Sequence, residues 1–118
     1  MNCTYSYDLI SAIHYILNIH KTAKNTQGSA EFGDFTVDFD KEGQVVGIEI
    51  LNASEFVDKA GISKEELEGI KDAQLTITHK KDYTLVWFKL LLPHNIEKTV
   101  PLPTPILSSE EMRPEVEI

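Results

Sequence analysis

One stretch limits the possible folds more than any other. Phe35, Val37 and Phe39 alternate with Thr36, Asp38 and Asp40, and Val46, Ile48 and Ile50 alternate with Val45, Gly47 and Glu49. A period of two places successive side chains on opposite faces of an extended backbone. Between the two runs lies Asp40-Lys41-Glu42-Gly43, a turn composition. The segment therefore predicts a β-hairpin. Facing residues of an antiparallel pair lie on one side of the sheet, so the apolar residues of the two runs meet. The simplest register sets Phe35, Val37 and Phe39 against Ile48, Val46 and Gln44, and it needs an even-numbered loop. Asp34, Asp38 and Glu49 then share the opposite face, with Asp34 across from Glu49.

The segment before this hairpin reads two ways. Asp8 to Leu17 fits an N-capped amphipathic helix, with Leu9, Ile13, Ile16 and Leu17 on one side. It also fits a strand pair, with Tyr5 and Tyr7 alternating on one strand and Ile13, Tyr15, Leu17 and Ile19 on the next. Residues 21–33 are polar and predict a loop. After Asn52 a helical turn over 55–60 is expected to stop at Gly61. Ser63 and Glu66 form a capping-box pattern that starts a helix over 64–71. Gln74–His79 and Tyr83–Leu92 predict two more strands, turned by Lys80-Lys81-Asp82. Tyr83–Leu92 is apolar on both sides and reads as a central strand. All five prolines lie from Pro93 onward, so the end predicts an extended arm.

The expected fold class is α+β: a mainly antiparallel sheet of about six strands, from two or three hairpins, with one or two short helices near residues 55–71. Residues 1–107 read as one globular domain and 108–118 as a flexible acidic tail.

Charge narrows the function classes. The chain carries 11 basic and 19 acidic residues, for a net charge of -8, and Arg113 is its single arginine. Nucleic-acid binding needs clustered Lys and Arg, and an anionic membrane repels an acidic chain. No nucleic acid and no membrane are expected as partners. Cations or a basic protein fit better. Cys3 is the one cysteine, so no internal disulfide forms, and no spacing suggests structural zinc. The start lacks a basic and apolar signal pattern, and no apolar run reaches membrane-spanning length. The expected location is cytoplasmic.

The run from Val37 to Ser54 has Asp-x-Asp at 38 and 40, Gly43, and then Val46-Gly47-Ile48-Glu49-Ile50-Leu51-Asn52-Ala53-Ser54. Tyr7-Asp8 is followed by Tyr15-Ile16. These motifs resemble the family known as domain of unknown function 2283, over roughly residues 5–56. That family usually has an acidic residue between the two tyrosines, where this chain has Ala12. The resemblance implies that the ambiguous start is a hairpin and that the protein is small, prokaryotic and cytoplasmic. It implies no activity. Relatives are sometimes encoded beside small toxin-like proteins, so it implies an antitoxin-like role by analogy alone.

Two sets of candidate residues follow. Asp34, Asp38 and Glu49 on one face offer ligands for a divalent cation, calcium or magnesium; the plain alternative is a water-facing polar face. Asp38, Asp40, Glu42, Gly43, Val45 and Glu49 also match the spacing of an EF-hand loop, but that loop needs flanking helices where this chain alternates as strands. Apart from calcium or magnesium, no cofactor is expected. His14, His20, His79 and His94 have no evident Ser or Cys partner, so no catalytic residue is named. The second set is apolar. If Phe88 is core, Trp87 and Leu85 face outward, and with Pro101 and Pro103 they are the candidate interface residues; the plain alternative is burial of Trp87 under the proline-rich arm. The expected function is a non-catalytic protein-interaction module, self-associating and open to a basic partner. The alternative is a small metal- or ligand-binding protein using Asp34, Asp38 and Glu49.

Overall fold

The computed structural model describes residues 3–9, 15–102 and 106–107. The tail 108–118 and Pro103 lie outside these residues.

Alternation and β-branched content produce strands in two antiparallel sheets. The first sheet holds β1 (Cys3–Leu9), β2 (Tyr15–Lys21), β3 (Gly28–Phe32), β4 (Phe35–Phe39) and β5 (Val45–Leu51). Its order is β1-β2-β5-β4-β3. The second holds β6 (Asp72–His79), β7 (Tyr83–Leu92), β8 (Ile96–Pro101) and β9 (Ile106–Leu107). β7 is central: β6 pairs with one edge, and β8 then β9 follow the other. The α+β class holds, with the strands divided between two sheets. The start is a strand pair, Tyr7 opposite Leu17.

Two helices link the sheets, α1 (Ala53–Asp58) and α2 (Lys64–Glu68). Gly61 ends the first as expected. It has φ +81°, and its N–H donates to the Asp58 carbonyl while Ile62 N–H donates to Val57. This is the paired closure of a left-handed C-terminal turn, and Ile62 and Val57 are both buried beside it. The capping box forms: Ser63 Oγ accepts from Glu66 N–H, and Glu66 Oε1 accepts from Ser63 N–H. α2 is shorter than the 64–71 expected and closes at Gly69.

Three expectations need correction. The stretch from Pro93 is not an unpaired arm, because Ile96–Pro101 and Ile106–Leu107 pair with β7, the prolines falling before β8, at its last residue and between the two strands. Residues 21–33 are not all loop, because 28–32 form β3. An edge strand with a mostly exposed surface has little apolar signal, and only Ala30 and Phe32 are half-buried. The hairpin register also differs. Phe35 pairs with Ile50 and Val37 with Ile48, two residues from the simplest register. Asp40 is the cause. Its Oδ1 accepts from the N–H groups of Glu42 and Gln44, both at 2.9 Å, and draws Gln44 into the loop. The loop Asp40–Gln44 is odd-numbered, and an irregularity between Asp38 and Phe39 restores the alternation.

One core joins all layers: Leu17, Ile19, Val37, Ile48 and Ile50 from the first sheet, Val86, Phe88 and Leu90 from the second, and Val57, Ile62 and Leu67 between them. At the junction, Leu75 N–H donates to Cys3 Sγ at 3.4 Å, and the Tyr5 hydroxyl donates to the Ile70 carbonyl at 3.3 Å.

Candidate functional site

The core occupies one face of each sheet, so the two outer faces carry the candidate residues. On the first sheet the ladder sets Thr4, His20, Gly47, Asp38 and Ser29 in one row. Ser6, Asn18, Glu49, Thr36 and Glu31 form the next. Gly47 organises the first row. A Cβ there would lie 2.5 Å from His20 Cδ2 and 3.0 Å from Asp38 Oδ2. Both side chains lean over the glycine from its two neighbouring strands. Asp38 is only 8% exposed, and its Oδ1 accepts a 2.7 Å hydrogen bond from Ser29 Oγ. His20 is held at both nitrogens. Nδ1 lies 2.9 Å from the Lys21 carbonyl and Nε2 2.9 Å from Thr26 Oγ1. A carbonyl only accepts, so Nδ1 carries the proton, and in the neutral ring Nε2 accepts from the threonine.

The shifted register takes Asp34 from its expected place across from Glu49 and brings Asp38 two residues nearer to it. Asp38 and Glu49 share the outer face as diagonal neighbours, but Thr36 stands across from Glu49. Asp34 lies in the exposed turn after β3, where its carbonyl accepts from Leu51 N–H at 2.8 Å. Among the described residues, no three His, Cys, Asp or Glu side chains converge as a metal-binding group. The EF-hand spacing falls on a hairpin, with Asp40 spent on its own loop amides.

The second sheet presents a different surface. Phe88 is fully buried, and its neighbour Trp87 is 37% exposed on the outer face. Trp87 sits between Thr76 and Pro101 on the adjoining strands. Leu85, half-buried, stands on the same face opposite Thr78. Tyr83 and Leu91 continue the column along β7 by the period of two. Farther along, Asp72, Gln74, Lys89, Leu91 and Glu97 line a shallow hollow of about 60 Å³.

The two motif tyrosines, Tyr7 and Tyr15, stack with ring centroids 4.9 Å apart. The Tyr7 hydroxyl is buried without a hydrogen-bond partner. Burial first, then the negative charge of Glu68 and the nearby Tyr15, raises its pKa above the ordinary 10.0.

Two features escaped the sequence reading. The space-making role of Gly47 depends on which strands flank β5. The outer strand β3 had a local signal, the dipeptide Gly33-Asp34 between Phe32 and Phe35. Gly33 has φ +69°, as the first position of a tight two-residue hairpin turn requires.

Residues 6–54 match the model of the family described as Protein of unknown function (DUF2283). The matched segment runs from β1 into the start of α1. It is less than half of the chain, and it excludes the whole second sheet. A comparison with curated proteins and with solved structures finds no match. Among the described residues, no helix is long and apolar enough to cross a membrane.

Proposed function

We propose that this chain is a non-catalytic protein-interaction module of the cytoplasm. It works as a homodimer and offers the outer face of its second sheet to a basic protein partner. One observation carries this reading: a tryptophan held 37% exposed at mid-sheet, directly beside a fully buried phenylalanine. Aromatic anchors of this kind dominate binding energy at interfaces. The net charge of -8 favours a basic partner and a salt-sensitive association. The family resemblance makes an antitoxin-like partnership the natural form by analogy.

The test uses the tagged chain and its Trp87→Ser variant as paired baits in native extract, at low and high salt. A stoichiometric basic protein held by the first bait, released by salt and missing from the second, is the expected result. Equal recovery on both baits overturns the role of this face.

A second reading places a divalent cation at Asp38 and Glu49. Its support is the burial of Asp38 on the face it shares with Glu49. It predicts a saturable rise in Tm with calcium or magnesium that Asp38→Asn abolishes. A flat titration removes it.

A further inference from the structure

The homodimer of the preceding reading needs a surface, and the outer edge of β3 has one that is complementary to itself. Unpaired sheet edges are normally blunted by proline, bulges, charge or cover. The other edges are treated in this way. β1 meets β6 through Cys3 and Leu75, and meets the segment before β6 through Tyr5 and Ile70. The edge formed by β8 and β9 carries Pro101 and breaks between the two strands. β3 ends the sheet order, and among the described residues no strand pairs with its outer side. It contains no proline, and its one charge is Glu31.

The pairing pattern shows what this edge offers. A two-residue hairpin closes on a pair that exchanges both backbone bonds, here Phe32 with Phe35. Bonded pairs then alternate along β3, so Ala30 and Gly28 also face β4. The N–H and C=O groups of Ser29 and Glu31 are left pointing outward.

We infer that two copies of this chain pair antiparallel through β3, with Ala30 on the two-fold axis, joining their five-stranded sheets into one. In this register Ser29 of one copy exchanges both bonds with Glu31 of the other. Glu31 therefore meets a serine and not its own copy, so the pairing avoids the like-charge contact that an acidic chain most needs to avoid. Phe32 of one copy lies across from Gly28 of the other. Nothing stands within 4 Å of the Cβ position of Gly28, which leaves room for the ring to cover it. The shared edge is short, so the dimer dissociates on dilution.

The inference rests on the self-association reading, and its test separates the two. Ala30→Cys is made in a Cys3→Ser background, with Thr76→Cys in the same background as a control on the other sheet. Across the axis the two Cα atoms are about 4.5 Å apart, within disulfide range. Mild oxidation is expected to link Ala30→Cys into dimers and to leave Thr76→Cys unlinked. Glu31→Pro deletes an outward N–H and keeps the β3–β4 ladder. By sedimentation it is expected to raise the dimer dissociation constant about tenfold or more. A wild-type chain that sediments as a monomer at every concentration overturns both the self-association and the edge. A wild-type dimer that persists in Glu31→Pro, with no link at position 30, overturns the edge and leaves self-association standing.

Discussion

The two outer faces of this molecule are built by the same rule and put to different ends. Each belongs to an antiparallel sheet whose other face is core. On the first sheet the outer side chains are satisfied: Ser29 holds Asp38, the Thr26 hydroxyl and the Lys21 backbone carbonyl hold His20, and both Asp38 and His20 fold over Gly47. On the second sheet Trp87 lies open between Thr76 and Pro101. The family match lies on the first sheet and the start of α1 and does not reach the second sheet. In this chain, the recognisable motif residues are absorbed by architecture. Asp40 shapes the loop, Gly47 makes space, and Tyr7 and Tyr15 stack. Trp87, the exposed aromatic of the second sheet, lies outside the matched segment.

The largest effect should come from closing the space at Gly47. Gly47→Val forces a side chain against His20 and Asp38 and should cost about 3 kcal/mol, lowering Tm by roughly 10 °C. His20→Ala in that background should return part of the loss, measured as a double-mutant cycle in urea. An unchanged Tm in Gly47→Val would mean that the first face is as loose as the second. Asp38→Ala comes next. It removes the 2.7 Å hydrogen bond that Ser29 donates to the carboxylate and should cost about 1–2 kcal/mol by the same denaturation assay.

Trp87→Ser tests the other side of the comparison. Its stability should stay within about 1 kcal/mol of wild type, while partner capture is lost. A large destabilisation would make Trp87 a structural residue and remove the contrast between the faces. The smallest effect belongs to Tyr7→Phe, which deletes a buried hydroxyl that has no partner. The change should be neutral or stabilising, by at most about 1 kcal/mol. Because the folded-state pKa of Tyr7 lies above its unfolded value, the native state keeps this proton longer than the unfolded chain does. Its contribution is fully present below pH 10.0 and is lost as pH rises beyond it. Tyr7→Phe should therefore show a shallower alkaline loss of stability than wild type in pH-dependent melts.

The candidate residues were legible to different degrees. The outward position of Trp87 followed from one fact, that adjacent strand residues face opposite ways, once Phe88 was assigned to the core. The shared face of Asp38 and Glu49 also followed from parity, which a two-residue shift preserves. The pairing of Asp34 with Glu49 did not survive, because it depended on the loop, and the Asp40 carboxylate enlarged that loop. β3 was missed because an exposed edge strand needs few apolar residues.

Local chemistry in the sequence determined the strand periods, the Gly61 stop, the capping box at Ser63 and Glu66, and the acidic character that limits the partners. Each depends on neighbours close along the chain. The tertiary structure alone decided that the strands divide into two sheets, that β2 and β4 flank β5 so that His20 and Asp38 meet over Gly47, and that Cys3 closes the edge of β6. Those pairings join residues distant in sequence. Period-two patterns say which face a residue takes, but many strand orders bury the same faces, and only packing the whole core selects among them.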